Sequence, residues 1–376
     1  MNELRRLCGP AAAAVAWQRA WGPDRPLPQP LLLLAATETA AVEGISAAGS
    51  TPDSRRRTAA ADAELLLRGP LGARPHALPP LPAGVSPALI SHVVVEALGL
   101  EPLVVDLGCS EAPAVPHLRL GGAASGGPAA CLSGGAALAP QRVEALLALG
   151  RHWGERLVTA GRPLLLAECV PGGTSTAQAL LSGLGLAVEG LVSGSLRQPA
   201  HALKSELVRR GLAAARLEAG APPAAVVAAL GDPMQPLAAG LTQAAAGAGL
   251  PVLLAGGSQM AAVLGLALAL APAEQRERLA AHTAVATTAW VAEEAGSDLE
   301  RLLTRIGERW DVAPLAFAAG LRFGPGCHPA LRDYERGYVK EGVGAGGLAV
   351  LWQLRGGRPE DLAVACDQAC RQLLNR

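Results

Sequence analysis

The sequence AECVPGGTSTAQALLSGLG places a carboxylate, two adjacent glycines and two hydroxyl side chains where a buried strand is predicted to become a helix. Glu168 ends the strand, Gly172 and Gly173 form a tight turn, and the helix begins near Thr174. The free N–H groups of a helix start bind anions such as phosphate, and glycines let the anion approach the backbone. Thr174 and Ser175 add hydroxyl donors. An ordinary strand–helix turn with a threonine cap explains these residues equally well, so both interpretations stay open.

A second carboxylate, Glu341, lies among glycines in the sequence YVKEGVGAGG, directly before a helical stretch. A ligand can approach such a carboxylate closely because no neighbouring side chains crowd it. Partial burial would raise the pKa of Glu341 towards that of a general base, whereas Lys340 or a helix N-terminus would lower it. The alternative is a solvated loop glutamate that caps the helix.

Lysine occurs only at positions 204 and 340, although arginine is abundant. Arginine can replace a lysine that supplies charge alone, so these two positions are of interest. Lys204 lies on a predicted amphipathic helix, where a lysine is usually surface charge; its functional interpretation is a point charge for phosphate.

The remaining candidates are weaker. Asp106, Asp232 and Ser258 follow predicted strands and are interpreted as helix caps, with ligand contact as the alternative. His201 and His328 are interpreted as structural. The sequence has no GxxxxGK[ST], HExxH or GxSxG motif, so it predicts no nucleotide triphosphatase loop, metal site or serine-hydrolase elbow.

The overall composition indicates a globular protein of a reducing compartment. The 32 basic and 32 acidic residues cancel, half of the chain is apolar and aromatic residues make up 3%, so a nucleic-acid partner is not expected. The seven cysteines include no CxxC pair, which favours a cytoplasmic location over a disulfide framework.

The elements that position these residues are predicted from short, fully apolar runs that alternate with helical stretches such as 140–157 and 200–219. Runs that are apolar throughout are typical of strands buried on both faces, so the pattern predicts an α/β fold with a doubly wound, mainly parallel sheet. Its ligands would bind at the carboxyl ends of the strands. The predicted strands are 30–36, 103–108, 163–168, 225–231, 251–255 and 283–288.

Other segments are interpreted as connections or as a second unit. Residues 69–86 are predicted to be irregular, and residues 121–135 a flexible loop. The apolar stretch 250–273 is interpreted as a strand, a glycine turn and a buried helix, and not as a membrane span. The first thirty and last forty-five residues read mainly as helices of a small second domain.

Read in order, several segments resemble the nicotinate-nucleotide–dimethylbenzimidazole phosphoribosyltransferase family, and more specifically its divergent cyanobacterial and archaeal branch. The resemblance to the branch covers nearly the whole chain, while the resemblance to the characterised transferases is patchier. The segments are VEGISAAG, ADAE, ECVPGGTSTA, GDPMQP, AGGSQM, TTAWVAE and YERGYVKEGVGAGG.

This resemblance implies a role for each matching residue. Glu341 matches the family's catalytic glutamate, although Lys340 stands where a glycine precedes it in the family. Glycine at position 173 replaces a family asparagine. Phosphate and ribose binding is assigned to Glu168, Gly172, Gly173, Thr174, Ser175, Lys204, Gly342 and Gly344, and the base pocket to Ser46 and Val339.

The resemblance also implies a function and an organisation. The donor would be nicotinate mononucleotide and the acceptor a benzimidazole or purine base, giving an α-ribotide for the lower ligand of cobamides, without a metal or cofactor. A Rossmann-like domain would span residues 30–330. Residues 1–29 with 331–376 would form a small helical domain carrying the glutamate loop. A homodimer without membrane or nucleic-acid partners is expected.

Two departures concern the acceptor base more than the ribosyl chemistry. The family's aspartate-histidine-glycine reads Thr37, Glu38 and Thr39, and a strand-end aspartate reads Ala255. Two alternatives therefore stay open: a non-catalytic nucleotide-binding or regulatory homologue, and a transferase of the same fold with another base or donor.

Overall fold

The protein is described by a computed structural model over residues 4–217 and 220–375. Within those ranges eight strands form one sheet: β1 (Arg5–Cys8), β2 (Gln29–Leu34), β3 (Leu103–Asp106), β4 (Leu118–Arg119), β5 (Leu164–Cys169), β6 (Val252–Ala255), β7 (Thr283–Thr287) and β8 (Leu315–Ala318). Their order across the sheet is β1-β8-β7-β6-β5-β2-β3-β4. β1 is antiparallel to β8 and the other neighbouring strands are parallel, which confirms the predicted fold class.

Helices cover both faces of the sheet, and successive strand residues alternate between two cores. Leu31 and Leu33 of β2 pack on one face, and Leu32 and Leu34 pack on the other. Helices α4–α9 and α12 contribute to the first core, and α1–α3, α11 and α13–α15 to the second. The helices are α1 (Ala11–Arg19), α2 (Pro52–Arg68), α3 (Ala88–Leu98), α4 (Pro140–Ala160), α5 (Gly173–Gly183), α6 (His201–Ala215), α7 (Pro223–Leu230), α8 (Met234–Gly247), α9 (Ser258–Leu270), α10 (Ala273–His282), α11 (Ala289–Ala292), α12 (Leu299–Trp310), α13 (Pro329–Glu335), α14 (Ala345–Leu354) and α15 (Pro359–Leu374).

The direction of winding reverses between β2 and β5. From β2 the chain proceeds to β3 and β4 on one side, and from β5 it proceeds through β6 and β7 to β8 on the other. The loops that leave neighbouring strands at such a point diverge and leave a crevice at the carboxyl ends of the strands. The crevice therefore lies beside Glu168, near the end of β5.

Two predictions of local structure are wrong. Residues 225–231, predicted as a strand, lie mostly in α7, which begins at Pro223 and contacts α4, α5 and α6. A buried helix is apolar on all sides, so its sequence does not differ from that of a short buried strand. Residues 5–8, in a region read as helical, form edge strand β1, and residues 315–318 form a strand that was not predicted.

Two other segment predictions are confirmed. Residues 69–86 are irregular, and residues 250–273 contain β6, a glycine turn and α9, both as predicted. In the described ranges, no helix is both long and apolar enough to cross a membrane. Residues 1–3, 218–219 and 376, which belong to predicted terminal or helical segments, lie outside the described residues. The division into two domains stays a prediction.

Candidate active site

A cavity of about 620 Å³ opens at the reversal point of the sheet. The segments that enclose it are the end of β5 with the following turn, residues 257–259 after β6, the middle of α2, and the loops 46–48, 78–87, 193–198 and 338–343. The predicted site residues that line it are Ser46, Glu168, Gly172, Gly173, Thr174, Val339, Glu341 and Gly342. Three predicted residues, Ser175, Lys204 and Gly344, do not line it.

Four hydrogen bonds hold the Glu341 carboxylate in the cavity wall. The N–H groups of Gly342 and Gly346 donate to Oε1 at 3.1 and 3.0 Å. Thr287 Oγ1 and the Thr288 N–H donate to Oε2, each at 3.0 Å. Burial raises the pKa of Glu341, and these hydrogen bonds oppose the increase. The Thr287 hydroxyl is the one of these donors that can rotate away, so Oε2 is the oxygen best placed to take up a proton.

The loop that carries Glu341 has an unfavourable backbone conformation. Val339, Lys340 and Val343 have φ values of 66°, 69° and 54°, and they account for three of the five positive-φ non-glycine residues in the described chain. β-branched residues rarely adopt this region, and such strain persists where surrounding contacts enforce it. Here the Val343 N–H donates to the Glu168 carbonyl at 2.9 Å, and Ser91 Oγ donates to the Val343 carbonyl at 2.8 Å. These bonds fix the loop to β5 and α3.

The Lys340 side chain anchors the same loop from the other side. Its ammonium lies 2.5 Å from Glu294 Oε1 and donates to the Leu196 carbonyl at 2.6 Å. Both charged side chains are buried, at 2% and 5% exposure. The hydrogen bond therefore connects the glutamate loop to the cavity-lining loop 193–198, and the ion pair connects it to the segment after α11.

The glycines after Glu341 let α14 approach the sheet. A Cβ at Gly344 would lie 2.6 Å from that of Ala167, and one at Gly347 would overlap Ala255. Ala255, where the resemblance leads us to expect an aspartate, is thus packed directly against α14. A longer side chain at that position would displace the helix whose start holds Glu341.

We expect Gly346→Ala to lower both stability and turnover. The new Cβ would overlap the backbone of Thr287 and Thr288 and the Glu341 carboxylate, so α14 must shift. Overpacking of this kind costs about 1–3 kcal/mol in the free energy of unfolding, which denaturant titration measures. At Gly247, in the last turn of α8, a Cβ meets nothing within 4 Å, so Gly247→Ala is the matched control. Equal stability of the two variants would contradict the packing argument.

Glu168 is a second buried carboxyl group in the cavity wall. Burial raises its pKa to about 8, the Val170 N–H opposes this increase, and the charges of Glu341 and Asp232 add to it. The Val170 N–H donates to Glu168 Oε2 at 3.0 Å. At neutral pH Glu168 is therefore mainly protonated and can donate a hydrogen bond to a ligand.

We expect Glu168→Gln to be more stable than the native chain at high pH. The pKa of Glu168 rises from its ordinary 4.5 to about 8 on folding, so its contribution to stability is complete below pH 4.5 and is lost as pH rises to 8. Glutamine does not titrate. The stability difference should thus grow between pH 5 and pH 9 to about 2 kcal/mol or more, as thermal unfolding at each pH would measure. Glu101→Gln, at an exposed position, is the control, and a pH-independent difference would contradict the assignment.

The turn before α5 is built for close approach to the backbone. Gly172 has φ 83°, and Gly173 lies against the Gln259 side-chain oxygen, where a Cβ would overlap it. Thr174 faces the cavity, whereas the Ser175 hydroxyl is buried, unpartnered in the described structure and away from the cavity. The N–H groups of Gly173 and Ser175 donate to the Val170 and Gly172 carbonyls at 2.8 and 2.9 Å, so an anion at the start of α5 would bind through the N–H group and the hydroxyl of Thr174.

Lys204 lies behind the cavity wall. Its ammonium is fully buried and donates to the Ser193 carbonyl at 2.5 Å, and burial lowers its pKa to about 8. This hydrogen bond thus supports the loop 193–198 from the side that faces away from the cavity. Both lysines of the chain bond to carbonyl groups of this one loop.

Sequence reasoning missed several cavity residues. They include Asp62, Ser86, Arg197 and Gln259. The run SGSLRQ before α6 is mostly small and polar, which is a usable indication of a binding loop, whereas Asp62 lies inside α2, in the segment ADAE, which carries the resemblance but predicted no site role for this residue. Of the weaker candidates, Ser258 lines the cavity, and Asp106 bonds to the Gly108 and Cys109 amides elsewhere.

No histidine of the described chain lines the cavity. His201 bonds to the Gly296 carbonyl, and the His328 ring accepts from the Ala330 N–H at the start of α13. Over residues 4–217 and 220–375, no group of three or more His, Cys, Asp or Glu side chains is placed to hold a metal ion.

Comparison with solved structures agrees with the observed fold. Nicotinate-nucleotide–dimethylbenzimidazole phosphoribosyltransferase from Thermus thermophilus superposes with a TM-score of 0.58 at 23% sequence identity. The match covers 96% of this chain and 87% of that one. At this level of identity the likeness concerns the fold.

Comparison with sequences identifies the family. A family model described as phosphoribosyltransferase matches residues 88–295. The UPF0284 proteins of Prochlorococcus marinus (strain MIT 9313) and Parasynechococcus marenigrum (strain WH8102) are each 54% identical, covering 92% of this chain and 86% and 87% of theirs. That of Gloeobacter violaceus is 48% identical over 90% of this chain and 87% of its own. These matches confirm the predicted recognition: the chain belongs to the phosphoribosyltransferase family, in a divergent branch with the cyanobacterial UPF0284 proteins.

Proposed function

We propose that this protein transfers the phosphoribosyl group of nicotinate mononucleotide to an aromatic base, a benzimidazole or a purine, and so forms an α-ribotide for the lower ligand of a cobamide. The observation that carries the proposal is the placement of Glu341. Its carboxylate is fixed in the wall of a 620 Å³ cavity that also contains the glycine turn before α5. A base and an anion site thus share one cavity.

In this mechanism the donor phosphate binds to the N–H group and the hydroxyl of Thr174 at the start of α5. Lys204 acts through the loop 193–198, since its ammonium bonds to Ser193 behind the wall. Protonated Glu168 donates a hydrogen bond to the ribose. These contacts hold C1′ of the ribose in front of the acceptor base, and such positioning supplies much of the rate enhancement.

The chemical step needs one proton acceptor. Glu341 takes the N–H proton of the acceptor ring as the other ring nitrogen attacks C1′. The bond from C1′ to the pyridinium nitrogen breaks, its electron pair stays with neutral-ring nicotinate, and the configuration at C1′ inverts. The Thr287 hydroxyl, 3.0 Å from Glu341 Oε2, rotates to admit the proton.

We further propose that the protein is cytoplasmic and forms a homodimer. Sedimentation of the purified chain would test the dimer.

The deciding experiment measures nicotinate release from nicotinate mononucleotide by the purified protein, with dimethylbenzimidazole, with adenine and without acceptor. Release that depends on an acceptor is expected. Tight binding of the mononucleotide without release under any condition would instead indicate a regulatory homologue. The substitutions at Thr37–Thr39 and Ala255 instead favour the other alternative, a transferase of the same fold that uses another base or donor.

A further inference from the structure

Asp62 is a buried carboxylate in the wall of the cavity that the proposed mechanism does not use. It lies on α2 at 4% exposure and lines the cavity. In the described chain it forms no ion pair with a lysine, arginine or histidine. A buried, unpaired charge is costly, and where it faces a cavity it is typical of a ligand site.

The partners of Asp62 leave one of its oxygens nearly free. Ser86 Oγ donates to Oδ1 at 2.6 Å, while the only partner of Oδ2 in the described chain is the Cys169 thiol at 3.5 Å. Burial raises the pKa of Asp62 to about 6, so the group remains mostly ionised at neutral pH. Oδ2 can therefore accept a hydrogen bond from a ligand.

A second buried aspartate shows the contrast. Asp232 is fully buried, but its oxygens accept from the Thr176 hydroxyl at 2.5 Å and the Met234 N–H at 3.0 Å. It does not line the cavity. A buried carboxylate in this fold can therefore have both oxygens hydrogen-bonded. Burial alone does not explain why Oδ2 of Asp62 is nearly free.

The surroundings of Asp62 suit a flat heterocycle. Thr58 lies one helical turn earlier on α2 and also faces the cavity, as does Ser46. The neighbouring loop adds the apolar side chains of Leu78, Pro79 and Pro87. Cavities with apolar walls and a few polar groups orient their ligands through those polar groups.

We propose that Asp62 selects acceptor bases that carry an amino or hydroxyl group on the six-membered ring over bases whose corresponding edge is apolar. This inference rests on the proposed function. Methyl groups placed against Oδ2 would leave a buried carboxylate oxygen without a strong donor, which disfavours binding. An amino or hydroxyl group would donate to it.

The test compares bases that differ by one group: benzimidazole, 5-aminobenzimidazole and 5-hydroxybenzimidazole. Calorimetry measures the binding of each free base, and nicotinate release measures kcat/KM. For the native chain we expect the amino or the hydroxyl base to be preferred about tenfold or more over benzimidazole. In Asp62→Ala this preference should fall towards one. Asp232→Asn, which changes a buried aspartate outside the cavity, should keep it.

Each result of this comparison supports or overturns the proposed role of Asp62. Equal binding of the three bases by the native chain, or a preference that survives in Asp62→Ala, would overturn the inference while leaving the transferase intact. A higher KM for nicotinate mononucleotide in Asp62→Ala, with the base preference unchanged, would place Asp62 at the ribose and also overturn it. No release with any base would overturn the proposed function instead, and the binding comparison needs no variant, so it stands even if Asp62→Ala fails to fold.

Discussion

In Glu341→Gln, kcat should fall about 10²- to 10⁴-fold, while KM for nicotinate mononucleotide stays within a few-fold of the native value. Glutamine keeps the shape of the side chain but does not accept the ring proton. Its amide also cannot accept from all four donors, because one end is itself a donor. Steady-state kinetics with a saturating acceptor would measure the effect.

Two further measurements separate chemistry from folding in this variant. Thermal unfolding should remain cooperative, at a lower temperature than in the native chain because the amide nitrogen faces hydrogen-bond donors, and calorimetric binding of the mononucleotide should resemble that of the native chain. The acid limb of the native pH profile of kcat, which reflects a base whose pKa burial has raised, should disappear. Turnover within threefold of the native rate would remove Glu341 from the mechanism.

The fold could be predicted from the sequence because its strands are buried on both faces. The run LLLLA at 31–35 supplies residues to both cores, so it has no polar face and reads as a central parallel strand. The same property explains the error at 225–231, since α7 is also surrounded by apolar neighbours. Strand β1 was missed because two exposed arginines occupy an edge position, where pairing depends on β8 and not on local pattern.

The site could be predicted where glycine and charge occur together in one segment. Glu341 and the turn before α5 satisfy that condition. Asp62 and Ser86 do not, because they lie 24 residues apart and meet only in the folded chain, at 2.6 Å. The position of Lys204 shows a further limit: its residue type suggested a phosphate contact, but the fold puts a loop between its ammonium and the cavity.

Lys340 combines an unfavourable backbone conformation with favourable side-chain contacts. Its φ of 69° suits glycine, which the family resemblance also leads us to expect at this position. The lysine side chain nevertheless spans from the glutamate loop to Glu294 and to the Leu196 carbonyl. The ion pair and the hydrogen bond offset this backbone strain, which is of order 1–3 kcal/mol.

From this balance we expect Lys340→Met to lower the free energy of unfolding by about 3–5 kcal/mol, because it leaves the Glu294 carboxylate buried without its counter-ion, with the Ser297 hydroxyl donating to Oε2 at 2.6 Å. Methionine fills most of the volume of the lysine side chain, so the loss reports the charge. The loop would also lose its connection to residues 193–198, and kcat should fall together with stability. Denaturant titration and the nicotinate-release assay measure the two effects.

The double variant Lys340→Met with Glu294→Gln is the matched control for that prediction. Removing both charges leaves no uncompensated ion, so the double variant should be more stable than Lys340→Met alone, with a coupling of about 1–3 kcal/mol in the mutant cycle. Its kcat should remain low, since the connection between the two loops is still missing. Additive losses in stability would show that the ion pair seen at 2.5 Å does not hold the loop, and native turnover in the double variant would show that the loop needs no such anchor.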